Sequence, residues 1–149
     1  MVQKESEKIN AIIVDLDGTL AILNNRGPFE WENVENDNLN RPIAELIAMS
    51  QNHGYKTIIL SGRDKAAAGE ETIKWLNKNK IIYDKLYLRP SNNQMSNKDY
   101  KRKVYMNKIQ AEFNVIFVLE DLPEIAKMWR DEFGLTVLQV VTWNQSIQI

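Results

Sequence analysis

No cysteine occurs among the 149 residues, and histidine occurs once. Without cysteine there is no disulfide staple, no thiol nucleophile and no sulfur ligand for zinc or iron. His53 stands before Gly54 near an expected helix end, where a cap or surface role fits better than catalysis. Long apolar runs are missing too: no stretch approaches a membrane span, and the charged segment 1–8 lacks the apolar centre of a secretory signal. A net charge of −1 supplies no global basic field, so any polyanionic ligand must be held locally. Internal repeats, low-complexity tracts and linkers are absent as well. These absences lead to the expectation of a soluble cytoplasmic protein with no membrane partner. It would have a short flexible lead over residues 1–8 and one domain over 9–149, large enough to bury roughly 70% of the surface its unfolded chain exposes.

What is present centres on Ile12-Ile13-Val14-Asp15-Leu16-Asp17-Gly18-Thr19-Leu20. The apolar run reads as a buried strand that delivers two carboxylates into a turn. With a side-chain period of two, Asp15 and Asp17 start on the same side of the chain. Carboxylates that close repel, so one is protonated or a cation lies between them. Mg²⁺ suits an all-oxygen site, which leaves Asp15 as a nucleophile and Asp17 as a proton shuttle. The simpler reading, in which the aspartates only cap a turn, suits a single Asp-Gly better than this whole string.

The pattern predicts strands over 10–14, 56–60, 85–88, 115–119 and 135–141, and helices over 41–53, 67–80, 98–113 and 123–133. Residues 18–39 read as a long irregular stretch, and loops of that length are usually functional. Strands alternating with crossover helices require a mainly parallel five-stranded sheet covered on both faces. In such folds the site lies at the carboxyl ends of the strands, and Asp15, Ser61 and Glu120-Asp121 each follow one directly. Ser61, with the backbone N–H groups of Ser61 and Gly62, can cradle a phosphate, although a serine here can also cap the next helix. Trp75 and Trp129 fall on helices as packing residues, whereas Trp31 stands in the long stretch and is less easily assigned to packing.

The first string matches, residue for residue, the opening motif of the haloacid dehalogenase-like (HAD) phosphohydrolases. Ile58-Ile59-Leu60-Ser61-Gly62-Arg63-Asp64 resembles their second motif, in which the serine binds the transferring phosphoryl group. The resemblance implies a Rossmann-like HAD fold and a third-motif lysine set against the nucleophile. Lys103 is favoured for that lysine by its spacing to the fourth strand, with Lys101 as the alternative. It also implies a fourth motif at Glu120-Asp121, with Asp121 joining Asp15 and Asp17 on the metal and Glu120 in support, or the reverse order. Alone, Glu-Asp-Leu-Pro would read as a helix cap.

Over most of the chain the sequence resembles, more narrowly, the 3′-phosphatase domains of bacteriophage polynucleotide kinase/phosphatases. The resemblance rests on Arg26-Gly27-Pro28-Phe29, Ser61-Gly62-Arg63, Lys98-Asp99 and Met128-Trp129-Arg130. It implies that Arg26 and Arg63 contact substrate phosphate, with Thr19 and Gly62 beside them, and that Asp99 supports the site. Two departures stand out: Glu120 replaces an aspartate, and Tyr100 replaces an acidic residue. No Gly-x-x-x-x-Gly-Lys-Ser/Thr string occurs, so phosphate removal is expected without the kinase step. The segments between Asp17 and Ser61 and between Ser61 and Lys103 are used up by elements the sheet needs. No separate cap domain is therefore expected, and an uncovered site suits a polymer end. Forked guanidinium groups are the right type to clamp a terminal phosphate.

The expected activity is Mg²⁺-dependent removal of 3′-phosphate from DNA or RNA ends through an aspartyl-phosphate, with separate kinase or ligase partners. The alternatives are a nucleotidase-like phosphatase of small molecules and an end-binding module that has lost catalysis.

Overall fold

The computed structural model describes residues 7–141, so most of the expected N-terminal lead and the last residues of the expected domain lie outside the described residues. Five parallel strands form one sheet in the order β5-β4-β1-β6-β7, where β1 is Ile9–Val14, β4 Lys56–Asp64, β5 Lys85–Arg89, β6 Phe113–Glu120 and β7 Val137–Gln139. β1 takes the centre, paired on both sides, because its last four residues are apolar on both faces. A strand of that kind is stable only when each face is covered.

The covers divide by residue parity. Ala11 and Ile13 point to one face, where α3 (Asn97–Val104) and α4 (Pro123–Phe133) bring Tyr100, Val104, Ile125 and Trp129. Ile12 and Val14 point to the other, where α1 (Arg41–Asn52) and α2 (Lys65–Lys78) bring Ile47, Trp75 and Leu76. Trp75 and Trp129 are both buried. His53 ends α1 and stacks edge-on against Tyr55.

Several boundaries differ from the sequence expectation. β4 runs on through Ser61 to Asp64, and Asp64 caps α2 by accepting from the N–H groups of Ala66 and Ala67. Ser61 is thereby freed from the capping role. The helix expected over 98–113 closes α3 at Val104 and continues as a wider π-turn over Tyr105–Ile109. Phe113 leaves it to pair with Ile9 in the sheet. The stretch 18–39 is not wholly irregular. β2 (Ala21–Ile22) and β3 (Asn38–Leu39) form a small antiparallel ribbon, and a 3₁₀ turn covers Trp31–Asn36 between them.

Candidate active site

Beyond the end of β1 the chain turns sharply at Gly18, whose φ of +82° suits glycine. A Cβ there would overlap the Asp121 carboxylate, so the glycine also lets β6 bring its terminal acids against β1. Asp15, Glu120 and Asp121 each offer one oxygen, and these oxygens lie within 4.8 Å of one another. All three residues are buried. Thr19 Oγ1 donates to Asp15 Oδ2 at 3.0 Å and to Asp121 Oδ1 at 3.4 Å, holding the two carboxylates in register. From α3, Lys101 Nζ donates to Asp15 Oδ1 at 2.8 Å and to Glu120 Oε2 at 2.7 Å.

Lys101 is one cation shared between two carboxylates. Burial, with the neighbouring Asp15 charge, pushes Glu120 up to about 8 against the opposing pull of Lys101. Burial disfavours the Lys101 ammonium, yet Asp15 and Glu120 outweigh that and hold its pKa above the ordinary lysine value. The all-oxygen donor set, three carboxylate oxygens within reach of one ion, fits a hard divalent cation.

A second group of charges lies alongside. Arg26 grips Asp37 with two parallel bonds, Nε to Oδ1 and Nη2 to Oδ2, both 2.8 Å, and reaches Asp17 Oδ1 at 2.8 Å. Arg63 Nη2 donates to Asp17 Oδ1 at 2.7 Å and to Asp37 Oδ2 at 3.0 Å, while its Nη1 donates to Thr72 Oγ1 at 3.0 Å. The side chains of both arginines and of Asp37 are fully buried, whereas that of Asp17 is 29% exposed. Trp75 Nε1 donates to the Asp37 carbonyl at 2.9 Å, fixing the loop that carries the acid.

Asp15 and Asp17 line one open cavity of about 270 Å³ with Ser61, Gly62, Arg63, Arg89, Asn97, Lys101 and Asp121. The Asn97 side chain packs closely on Gly62, where a Cβ would displace it. Residues 9–144 match the family model described as the polynucleotide kinase PNKP phosphatase domain. The chain belongs to this family.

A protein of Autographa californica nuclear polyhedrosis virus described as a bifunctional polynucleotide kinase/RNA ligase is 32% identical over 133 residues, which is 87% of this chain but 19% of the viral protein. A chain of the Pnkp1/Rnl/Hen1 complex superposes with a TM-score of 0.88 at 36% identity, covering 94% of this chain and 48% of that one. The chain therefore spans only a part of these relatives. A class C acid phosphatase from Bacillus anthracis, at 15% identity and a TM-score of 0.60, shares the fold over 91% of this chain and 68% of its own. The fold is accordingly that of the HAD phosphatases, with the parallel sheet expected from the sequence.

Within this PNKP phosphatase fold several residues stand elsewhere than the sequence suggested. Lys101 and not Lys103 reaches Asp15, because two residues on a helix turn the side chain by about 200°. Lys103 lies in a separate groove beside Tyr87 and Lys108. The same rotation takes Asp99 away from the cavity to pair with Arg102 at 2.6 Å. Asn97, one helical turn before Lys101, takes the inner face, and the i, i+4 spacing was the signal available for it.

Asp17 is absent from the acidic group that includes Asp15 and Asp121, and Glu120 takes its place. Strand alternation stops at Val14, and the arginines draw the Asp17 side chain aside. Arg26 and Thr19 do not line the cavity: Arg26 is drawn back onto Asp37, and Thr19 holds carboxylates. Asp37 and Arg89 were not singled out in the sequence. Asp37 lies in an asparagine-rich stretch and Arg89 ends an edge strand, so neither carried a local signal. The acids Glu120 and Asp121 are not the cap of α4, whose N-cap position is Leu122.

Proposed function

We propose that the chain removes the phosphate from 3′-phosphorylated DNA or RNA ends. Membership of the PNKP phosphatase family supports the substrate class. The observation that carries the chemistry is the Asp15 carboxylate, set at the end of the central strand with Lys101 at 2.8 Å and two more carboxylates beside it. Asp15, Glu120 and Asp121 would hold Mg²⁺, which when bound supplies positive charge to the phosphoryl oxygens.

Asp15 attacks phosphorus in line, forming a carboxylate O–P bond as the P–O3′ bond breaks. Lys101 offsets the repulsion between the incoming phosphate and Asp15 and stabilises charge on the transferring group. Asp17, oriented by Arg26 and Arg63, takes the proton of the incoming phosphate monoanion and passes it to the leaving 3′-oxygen. It then takes one from the water that hydrolyses the aspartyl-phosphate, which returns Asp15 to its free form. Ser61 and the N–H of Gly62 bind the phosphoryl oxygens. In this reading Arg26 and Arg63 act on the substrate through Asp17 and not as a direct clamp. A 3′-hydroxyl end is the product, suited to sealing by a ligase partner once a kinase has supplied the opposing 5′-phosphate. Among the described residues no helix is long and apolar enough to cross a membrane.

The test is phosphate release, with and without Mg²⁺, from oligonucleotides phosphorylated at the 3′ or the 5′ end, beside free 3′- and 5′-mononucleotides and an Asp15→Asn control. A strong Mg²⁺-dependent preference for the 3′-phosphorylated oligomer is expected. Equal or better turnover of mononucleotides would replace this reading with a small-molecule phosphatase. Turnover of none of them would leave an end-binding module.

A further inference from the structure

The floor of the cavity is charged, but its lip is apolar: Leu23, Pro28, Phe29, Trp31 and Leu122 line the same opening. Phe29 is 75% exposed, the largest exposure among the large apolar side chains described. Single exposed apolar residues are ordinary, but several gathered around the mouth of one cavity form a patch. The turn that carries Phe29 is closed by two bonds: Gly27 N–H donates to Glu30 Oε2 at 3.0 Å, and Glu30 N–H donates back to the Gly27 carbonyl at 3.2 Å. Phe29 meets Trp31 edge to face, with centroids 6.0 Å apart and planes at 88°, an arrangement that leaves ring face open for another π-system. Trp31 in turn lies over the Arg26 guanidinium, 5.8 Å from carbon to ring centre, and Arg26 holds Asp17.

We infer that this lip receives the base of the terminal nucleotide, stacked on Phe29, while its 3′-phosphate lies on the floor. The inference rests on the polynucleotide reading above. At about 270 Å³ the cavity is at the small end for an organic ligand, so it takes the phosphoryl group and leaves the base at the opening. Every base has a π-face, so stacking favours nucleotide ends over other phosphate esters without reading their sequence. The link through Trp31 and Arg26 to Asp17 joins the recognition element to the proposed proton donor by a chain of direct contacts.

The deciding experiment compares kcat/KM on two 3′-phosphorylated oligonucleotides, one with an ordinary terminal nucleotide and one whose terminal sugar is abasic. Wild type is compared with Phe29→Ala, Phe29→Leu and Phe29→Trp, with circular dichroism as the check on folding. Wild type should prefer the base-bearing end. Phe29→Ala should lower that preference about tenfold, about 1.4 kcal/mol, through KM. Phe29→Leu should lower it nearly as far, and Phe29→Trp should restore it. Equal losses on both substrates, or no wild-type preference, would overturn the stacking assignment while leaving the 3′-phosphatase reading intact. Wild-type release from neither oligonucleotide, with mononucleotides still turned over, would overturn both.

Discussion

Two clusters of buried charge meet at the ends of the central strands, and they differ in balance. Arg26 and Arg63 face Asp17 and Asp37, cation for anion, with Nε and Nη2 of both arginines engaged inside the group. Lys101 faces both Asp15 and Glu120, one cation against two acids, with Asp121 alongside. A balanced buried network is stiff because each member would leave an uncompensated charge if it moved. An unbalanced one stays receptive, since a cation or a proton must complete it. The first cluster sets the position of Asp17, and the second holds Asp15, the proposed nucleophile, beside Lys101.

Removing one member at a time breaks this contrast in ways that can be measured. Asp15→Asn takes away the proposed nucleophile, and phosphate release should fall by roughly 10⁴-fold or more while the melting curve stays close to wild type. Persistence of substantial turnover would refute the nucleophile assignment. Asp37→Ala strips the balanced cluster of its bidentate anion and leaves Arg26 half-paired. Urea denaturation should show a loss of about 3–5 kcal/mol. A loss below about 1 kcal/mol would mean that water or rearrangement easily replaces Asp37.

Lys101→Met removes the cation on Asp15 and should lower kcat by about 10²–10³-fold, the range for one electrostatic donor at a reacting oxygen. Lys103→Ala should keep kcat within about twofold, as surface changes away from the site usually do. A reversal of those two results would return the role to Lys103 and contradict the geometry of α3.

Much of the fold was legible because burial follows local periodicity. Ile12-Ile13-Val14 is apolar without alternation, which only a strand covered on both faces tolerates, and β1 does lie at the centre of the sheet. Pro123 marked the start of α4 and Gly134, at φ +65°, its end. Asp15, Ser61 and Asp121 line one cavity as the sequence suggested, because each lies at the end of an apolar run and those runs end on the same side of the sheet. The π-turn over 105–109 was not legible, because Ile109 and Phe113 fit both a continued helix and a strand start. Asp37 was equally hidden, since its partners Arg26 and Arg63 lie 11 and 26 residues away.

The sequence by itself determined which segments become the strands of the five-stranded sheet, which of their ends carry acids and a serine, and hence the class of chemistry available. Composition and alternation act within a segment, so they survive without knowledge of its neighbours. Only the tertiary structure decided which charge meets which: Lys101 over Lys103, Glu120 in the acidic group in place of Asp17, and Arg26 turned to Asp37 and away from the cavity. Charge pairing depends on the angle at which one element reaches another and on what burial leaves uncompensated, and neither quantity exists until the elements pack.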